Sequence, residues 1–168
     1  MSITLRPAQA DDEGFLFDLY CDSRADDMAA WGWDAQQREA FVRMQFRAQQ
    51  QHYQMLAVPA ERRIVCRDGR PIGWIATVEE QHALRLADIA LIATERNRGI
   101  GTALIRELLA AAARNGAPVQ LQVLPHNRAV RLYQRLGFTT TDDSGVYLTM
   151  EWRPDGGSGA GAHDARLA

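Results

Sequence analysis

Lysine is missing from this chain: all 19 basic residues are arginine. A Walker A phosphate loop and a Schiff-base nucleophile both need a lysine, so both are excluded. Cysteine is almost missing too. Cys21 and Cys66 have no metal-ligand spacing, and a single possible pair is a poor disulfide framework for 168 residues, so both are expected to be free thiols in a reducing cytoplasm. No apolar run approaches the ~18 residues that a membrane span needs. The first residues, "MSITLRPAQADDEGF", lack the basic-then-apolar pattern of an export signal, which makes cytoplasmic the expected location. Excess charge of one sign is also absent. A formal net charge of −2 argues against a general binder of nucleic acid or membrane surfaces, so any electropositive site must be local.

What is present fits one globular domain with a proper core, since 46% of residues are hydrophobic and 24% charged. That domain is expected over residues 1–153, followed at 154–168 by "PDGGSGAGAHDARLA", whose small and polar residues read as a disordered tail. "ITLRP" (Ile3 to Pro7) reads as a first strand. Asp11 or Asp12 is placed to cap a helix carrying Phe15, Leu16, Leu19 and Tyr20, and a second helix is expected from about Ala35 to Gln51. Between them "DDMAAWGWD" reads as a loop or broken helix. The period then changes. "RRIVCRDGRPIGWIATVE" is two β-rich runs about Asp68-Gly69, and "ALRLADIALI" is a third, so three antiparallel strands in succession are expected. Helical period returns at Gly99 with Ile100, Leu104, Leu108 and Ala112 on one stripe, and Gly116 ends it. "PVQLQVL" is the next strand, Asn127 to Leu136 a shorter helix, and "GFTTTDDSGVYLTMEW" two strands about Asp143-Ser144-Gly145.

The most informative stretch is "ERNRGIGTALIRELLAAAARNG". A helix N-terminus offers unpaired backbone N–H groups and the positive end of the helix dipole, a ready site for phosphate. Gly99 and Gly101 let a ligand approach those amides closely, Arg96 and Arg98 add charge, and no carboxylate lies within Gly99 to Leu104. A tight strand-to-helix turn alone would also use Gly99. A dinucleotide fingerprint is excluded. It needs a third glycine where this chain has Leu104, and an acidic residue ~20 positions later, where it has Leu121 and Gln122.

Two separated motifs carry a resemblance. Arg96-Asn97-Arg98-Gly99-Ile100-Gly101 matches Q/R-x-x-G-x-G/A, and Asn127, Ala129, Tyr133 and Gly137-Phe138 match N-x-A-x-x-x-Y-x-x-x-GF. Together, and in this order, they resemble the GNAT superfamily of acyl-CoA-dependent N-acetyltransferases, in element order over about Ile3 to Trp152 and most sharply from Asp88 to Phe138. The resemblance implies an α/β (α+β) GNAT fold: a central mixed, mostly antiparallel sheet of six to seven strands flanked by about four helices. It implies acetyl-CoA as cofactor, with the pyrophosphate on backbone amides from about Arg98 to Thr102, including those of Gly99, Ile100 and Gly101. It further implies that Ile89 and Leu91 bind the pantetheine arm as another strand would, and that Asn127 contacts cofactor or nearby backbone. Where the family usually has proline, two residues beyond the position of Leu91, this chain has Ala93.

Acyl transfer to an amine needs a base for the ammonium, stabilisation of an oxyanion, and a proton for the departing thiolate. By the resemblance Tyr133 supplies that proton. For the base, Glu79, Glu80, His82 and Asp88 all fall on or near the central strands, with Asp88 ranked first because it interrupts the apolar "LADIALI". Alternation puts Glu80 and His82 on one face and Glu79 on the other, unless a turn intervenes. Neither cysteine is placed for a covalent route, so direct transfer in a ternary complex is expected. By the resemblance, in which the N-terminal helices wall the acceptor site, Tyr20, Arg24, Trp31, Trp33 and Tyr53 are candidates for the acceptor pocket, while Trp31 and Trp33 read equally as loop anchors packed on the core. The expected acceptor is a small-molecule amine, with a protein or peptide amine as the alternative and a non-catalytic acyl-CoA-binding module as a third reading. A homodimer is compatible with all three.

Overall fold

A computed structural model describes residues 2–29, 32–56 and 58–154, apart from the side chains of Asp26 and Asp27. Seven strands and four α-helices follow in the order β1 (Ile3–Pro7), α1 (Glu13–Ala29), α2 (Ala35–Met55), β2 (Glu61–Arg67), β3 (Arg70–Glu79), β4 (Leu84–Leu91), α3 (Ile100–Arg114), β5 (Val119–Val123), α4 (Ala129–Arg135), β6 (Thr139–Asp142) and β7 (Leu148–Trp152). They form one mixed sheet in the order β1-β2-β3-β4-β5-β7-β6. Only β4 and β5 run parallel; every other neighbouring pair is antiparallel. No helix among the described residues is long and apolar enough to cross a membrane.

Strand alternation sends side chains to two helical layers. Ile64 and Cys66 of β2 and Trp74 and Ala76 of β3 pack against Leu16 and Leu19 of α1 and Phe46 and Tyr53 of α2. On the opposite face Ile75, Leu86, Leu121 and Met150 pack against Ile105 and Leu109 of α3 and Tyr133 of α4. The central strand β3 is therefore buried on both faces, which is why "IGWIATV" reads as a continuous run with little alternation. The β2–β3 turn holds Asp68 at φ 49° and Gly69 at φ 81°, the two left-handed residues that a two-residue hairpin turn requires.

Three local expectations change. α1 continues through Asp26–Ala29, so the first part of the expected loop is helical; Trp31 lies outside the described residues. α2 runs to Met55, one turn beyond Gln51. Asp12 does not cap α1 in the expected way. It lies in a short 3-10 turn, where its carboxylate accepts the Gln9 N–H at 2.8 Å and takes both guanidinium nitrogens of Arg6 at 2.7 Å, tying β1 to the helix start. The Arg6 guanidinium holds the Asp12 carboxyl down at about 2.

Two irregularities on either side of β4 shape the middle of the sheet. In β4, Ala76 faces Asp88 but Thr77 faces Leu86, so Ala87 is an extra, bulged residue. Across from it, pairing of β4 with β5 covers only Leu84–Val119, Arg85–Gln120 and Leu86–Leu121 and then stops. Gly73 of β3 makes the tightest approach to β4: a Cβ there would press into the Ala90 carbonyl oxygen and come within 2.6 Å of Leu91 Cδ2. Gly73→Ala is therefore expected to destabilise the protein by about 1–3 kcal/mol, as overpacking of a filled interior does. A denaturant midpoint equal to that of the parent chain would refute the close packing of β3 on β4 at this point.

Candidate functional site

Beyond the bulge, residues 88–91 of β4 stay paired with β3 but have no strand on the β5 side. The two strands splay, and a cleft of about 460 Å³ opens between them. That is within the ~300–1,000 Å³ of small-ligand sites. Because the gap passes through the sheet, residues from both layers line it: Tyr20 and Arg24 of α1 and Gln49 of α2 from one side, Asn127 and Tyr133 from the other, with Asp88 and Ile89 on its β4 edge.

Asp88 pairs with Ala76 and so faces the α1/α2 layer beside Trp74. Burial pushes its carboxyl up to about 6, against the opposing pull of the Ile89 backbone N–H, the Trp74 side chain and the charge of Arg24. Tyr133 is 7% exposed and meets Phe138 edge-on at 5.6 Å. Burial, with the Asp88 carboxylate adding to it, pushes its hydroxyl up to about 12, so the phenol keeps its proton at neutral pH. Asn127 accepts the Ala129 N–H at 2.9 Å, so it satisfies a donor of α4's first turn while also lining the cleft.

The glycine-rich turn lies past the far end of β4. Gly99 precedes α3 at φ 78°, and Asn97 is also left-handed at φ 61°. The first intrahelical bond runs from the Ala103 N–H to the Gly99 carbonyl at 3.0 Å, which leaves the preceding amides of the turn without helical partners. A Cβ at Gly99 or Gly101 would meet nothing within 4 Å, so open space stands over those amides. Arg98 is exposed at this turn, whereas Ile100 is buried against Val65, Ile72 and Leu104 and offers only its backbone. Arg96 donates to the Leu91 carbonyl at 2.8 Å and to Asp22 of α1 at 2.6 Å, and Glu95 pairs with Arg67 of β2 at 2.7 Å. Those bonds anchor the turn to two separate elements.

The other candidates fall elsewhere. Glu79 ends β3, and Glu80 and Ala83 close the β3–β4 turn through the Glu80 N–H at 2.9 Å, so the turn removes any alternation argument for Glu80 and His82. Glu80 pairs with Arg85 at 2.7 Å. Glu79, Glu80 and His82 line a different, larger groove of about 920 Å³ beside the end of α3, and the structure does not bring Glu80 to Asp88 and Tyr133. Tyr53 is buried edge-on to Trp74 at 5.9 Å, and Trp33 stands edge-on to Phe41 at 5.2 Å; neither lines the cleft. Both cysteines are free, and neither reaches the cleft. Conversely, Trp74, Gln49 and Tyr147 do line it and had no signal in the sequence beyond apolar period or surface polarity.

Residues 10–138 match the acetyltransferase (GNAT) family. This chain belongs to that family. It is also 36% identical over 92 residues to an uncharacterized N-acetyltransferase of Methanocaldococcus jannaschii, covering 49% of this chain and 41% of that protein, so it spans well under half of the relative's length. Its fold is similar to the crystal structure of PaiA N-acetyltransferase from Thermoplasma acidophilum in complex with coenzyme A (TM-score 0.71, 20% identity, 91% of this chain and 99% of that one). It is likewise similar to an acetyltransferase from Thermus thermophilus (TM-score 0.67, 21% identity, 92% and 97%).

The raised carboxyl of Asp88 has a consequence for stability. The folded chain holds that proton up to about pH 6 while the unfolded chain releases it near 3.8, so stability falls as pH rises across this window and stays lower above it. Asp88→Asn is expected to be more stable than the parent at about pH 8, by on the order of 1–2 kcal/mol, with the difference gone by about pH 4. Thermal melts at the two pH values check this, and equal melting temperatures at the higher pH would show that Asp88 is not held against its solvation.

Proposed function

We propose that this chain moves an acetyl group from acetyl-CoA to the primary amine of a small molecule by direct transfer, with both substrates bound. The observation that carries the reading is the break in the sheet. Residues 88–91 form a free strand edge that begins at Asp88, looks across the cleft to Tyr133, and ends towards the glycine-rich turn. The residues present fit the cofactor. An amide-bearing pantetheine arm can bond to the Ile89 and Leu91 backbone as a β-strand does. Backbone amides from Arg98 to Thr102 would hold the pyrophosphate, with the Arg98 side chain at the rim, Ile100 giving its amide only, and Arg96 positioning the turn through Leu91 and Asp22. Asn127 would border the same arm from the start of α4.

Bound acetyl-CoA supplies the activated thioester. Asp88, a carboxylate above about pH 6, takes the ammonium proton of the acceptor, and Tyr133, protonated at neutral pH, donates from its hydroxyl to the departing sulfur. Glu80, paired with Arg85 beside the other groove, has no part in this reading. The small cleft volume and its walls from α1 and α2 favour a metabolite over a polypeptide acceptor.

Calorimetric titration with acetyl-CoA tests the cofactor half: saturable binding that free coenzyme A competes away is expected. Gly101→Val, whose side chain meets open space in the protein, should fold normally yet weaken that binding about tenfold or more. Undiminished affinity in the folded variant would place the phosphates elsewhere. The chemistry is tested by kinetics. Tyr133→Phe should lower kcat about 10²-fold with little change in acetyl-CoA affinity. For the parent, kcat/KM for the acceptor should fall as pH drops below about 6. An unchanged kcat removes Tyr133 from the acid role, a flat acid limb removes Asp88 from the base role, and faster turnover of peptides than of any metabolite would move the acceptor to a protein.

A further inference from the structure

The acceptor end of the cleft carries a second charge that acetyl transfer itself does not use. Arg24 projects from α1 into the lining, with its guanidinium 4.7 Å from the centre of the Tyr20 ring. Arg24 takes part in none of the ion pairs formed among the described residues. Its field acts on Asp88 across the cleft, yet the two make no direct salt bridge. Arg24 is half-buried and its guanidinium lies on the Tyr20 ring and acts on the Tyr20 hydroxyl; with no carboxylate partner among the described side chains, its fork has donors open to a ligand carboxylate. Beside it, from α2, Gln49 presents a side-chain oxygen that is buried and has no hydrogen-bond partner. Most buried side-chain polar atoms are satisfied, so one left open in a lining marks a place for a ligand donor or, with the amide turned, an acceptor. Leu16, Leu19 and Phe46, each buried, add apolar surface to this side of the cleft, with Ser23 at its exposed margin.

We propose that the acceptor is a free α-amino acid with an apolar side chain, its carboxylate held by Arg24, with the Gln49 amide turned so that its nitrogen donates to the same group, and its amine directed at Asp88. This deepens, and rests on, the acetyltransferase reading above. The charges are matched head to tail: ammonium to carboxylate at Asp88, carboxylate to guanidinium at Arg24. An Arg–carboxylate contact is bidentate and directional, so it fixes which end of the acceptor faces the thioester. The same Arg24 opposes polyamines, whose second cation would meet it across a narrow cleft. In the reaction, one ammonium proton passes to Asp88, the freed amine nitrogen forms the new bond to the acetyl carbon, the thioester C–S bond breaks, the thiolate takes the Tyr133 hydroxyl proton, and the second proton lost from nitrogen restores that hydroxyl.

The test uses L-leucine, L-methionine and L-phenylalanine, the methyl ester and the decarboxylated amine of each, and spermidine, with release of free thiol from acetyl-CoA as readout. The acids are expected to show kcat/KM about 10- to 100-fold above their esters and amines, the range of one charged hydrogen-bonded contact. Arg24→Gln should collapse that ratio towards one by raising KM for the acid, and Arg24→Lys, which keeps the charge and the reach, should restore part of it. Acetyl-CoA titration of each variant reports whether the fold and cofactor end are intact. Acids and esters used equally, or spermidine preferred, would overturn the proposal and leave the acetyltransferase reading standing. So would calorimetry in which coenzyme A-loaded protein takes up none of the three acids. Failure of the parent chain to bind acetyl-CoA at all would instead sink the underlying reading.

Discussion

The parting of β4 from β5 is the constraint on which the rest of the site depends. A sheet is continuous because each strand satisfies its neighbour's amides, and here that exchange ends after Leu86–Leu121. The bulge at Ala87 rotates the strand where pairing fails, so the break is set by an inserted residue, not by fraying at an edge. It leaves unsatisfied backbone in the middle of the sheet. Water or a ligand must meet those groups, and a chain of amides is the ligand whose spacing suits them. Tyr133, on one layer, and Asp88, facing the other, become neighbours of one cavity only because the sheet between the layers is open.

The second requirement is that the helix turn at the end of β4 stay where the strand edge points. A proline after Leu91 would stiffen that connection; Ala93 does not. Two ion pairs and a carbonyl contact do the same work from outside the turn: Glu95 to Arg67 on β2, and Arg96 to Asp22 on α1 and to the Leu91 carbonyl. The Glu95–Arg67 pair is largely buried, so it is screened less by salt than a surface pair and fixes geometry more firmly. Arg96 thus holds the frame of the turn on which the proposed anion site rests, although its position in the motif suggested a direct contact.

Much of the fold was legible because it is periodic. The stripe Ile100, Leu104, Leu108, Ala112, the Asp68-Gly69 turn and the strand of "PVQLQVL" each follow from one local rule, and the structure keeps all three. Family membership was legible from two motifs and matches residues 10–138. What escaped notice depended on register between distant segments. Nothing local in "LADIALI" signals that Ala87 is bulged, because a bulge is defined by the partner strand. Likewise Glu80 and Asp88 both looked like carboxylates on central strands, and only the turn closed by Glu80 and Ala83 sends one to the far groove and the other to the cleft. Gln49 lies on a polar-looking helix whose orientation is fixed by Val42, Phe46 and Tyr53, so its inward aim is a property of packing.

The energetics of Asp88 and Tyr133 run against the stability of the fold in a way that makes chemical sense. An apolar pair at those positions would fill the cavity and relieve a desolvated carboxylate. Keeping the carboxylate poor in solvation raises its affinity for a proton into the range where it can accept one from an ammonium and release it again near neutral pH. The same burial keeps the phenol protonated, and each group sharpens the other, since the Asp88 charge adds to the rise at Tyr133. Arg24 tempers this by favouring the anion at Asp88 from a distance too great for a salt bridge. Were the two in contact, the carboxylate would be held far below neutrality and would be a poor base; kept apart, they suit the zwitterionic acceptor proposed above.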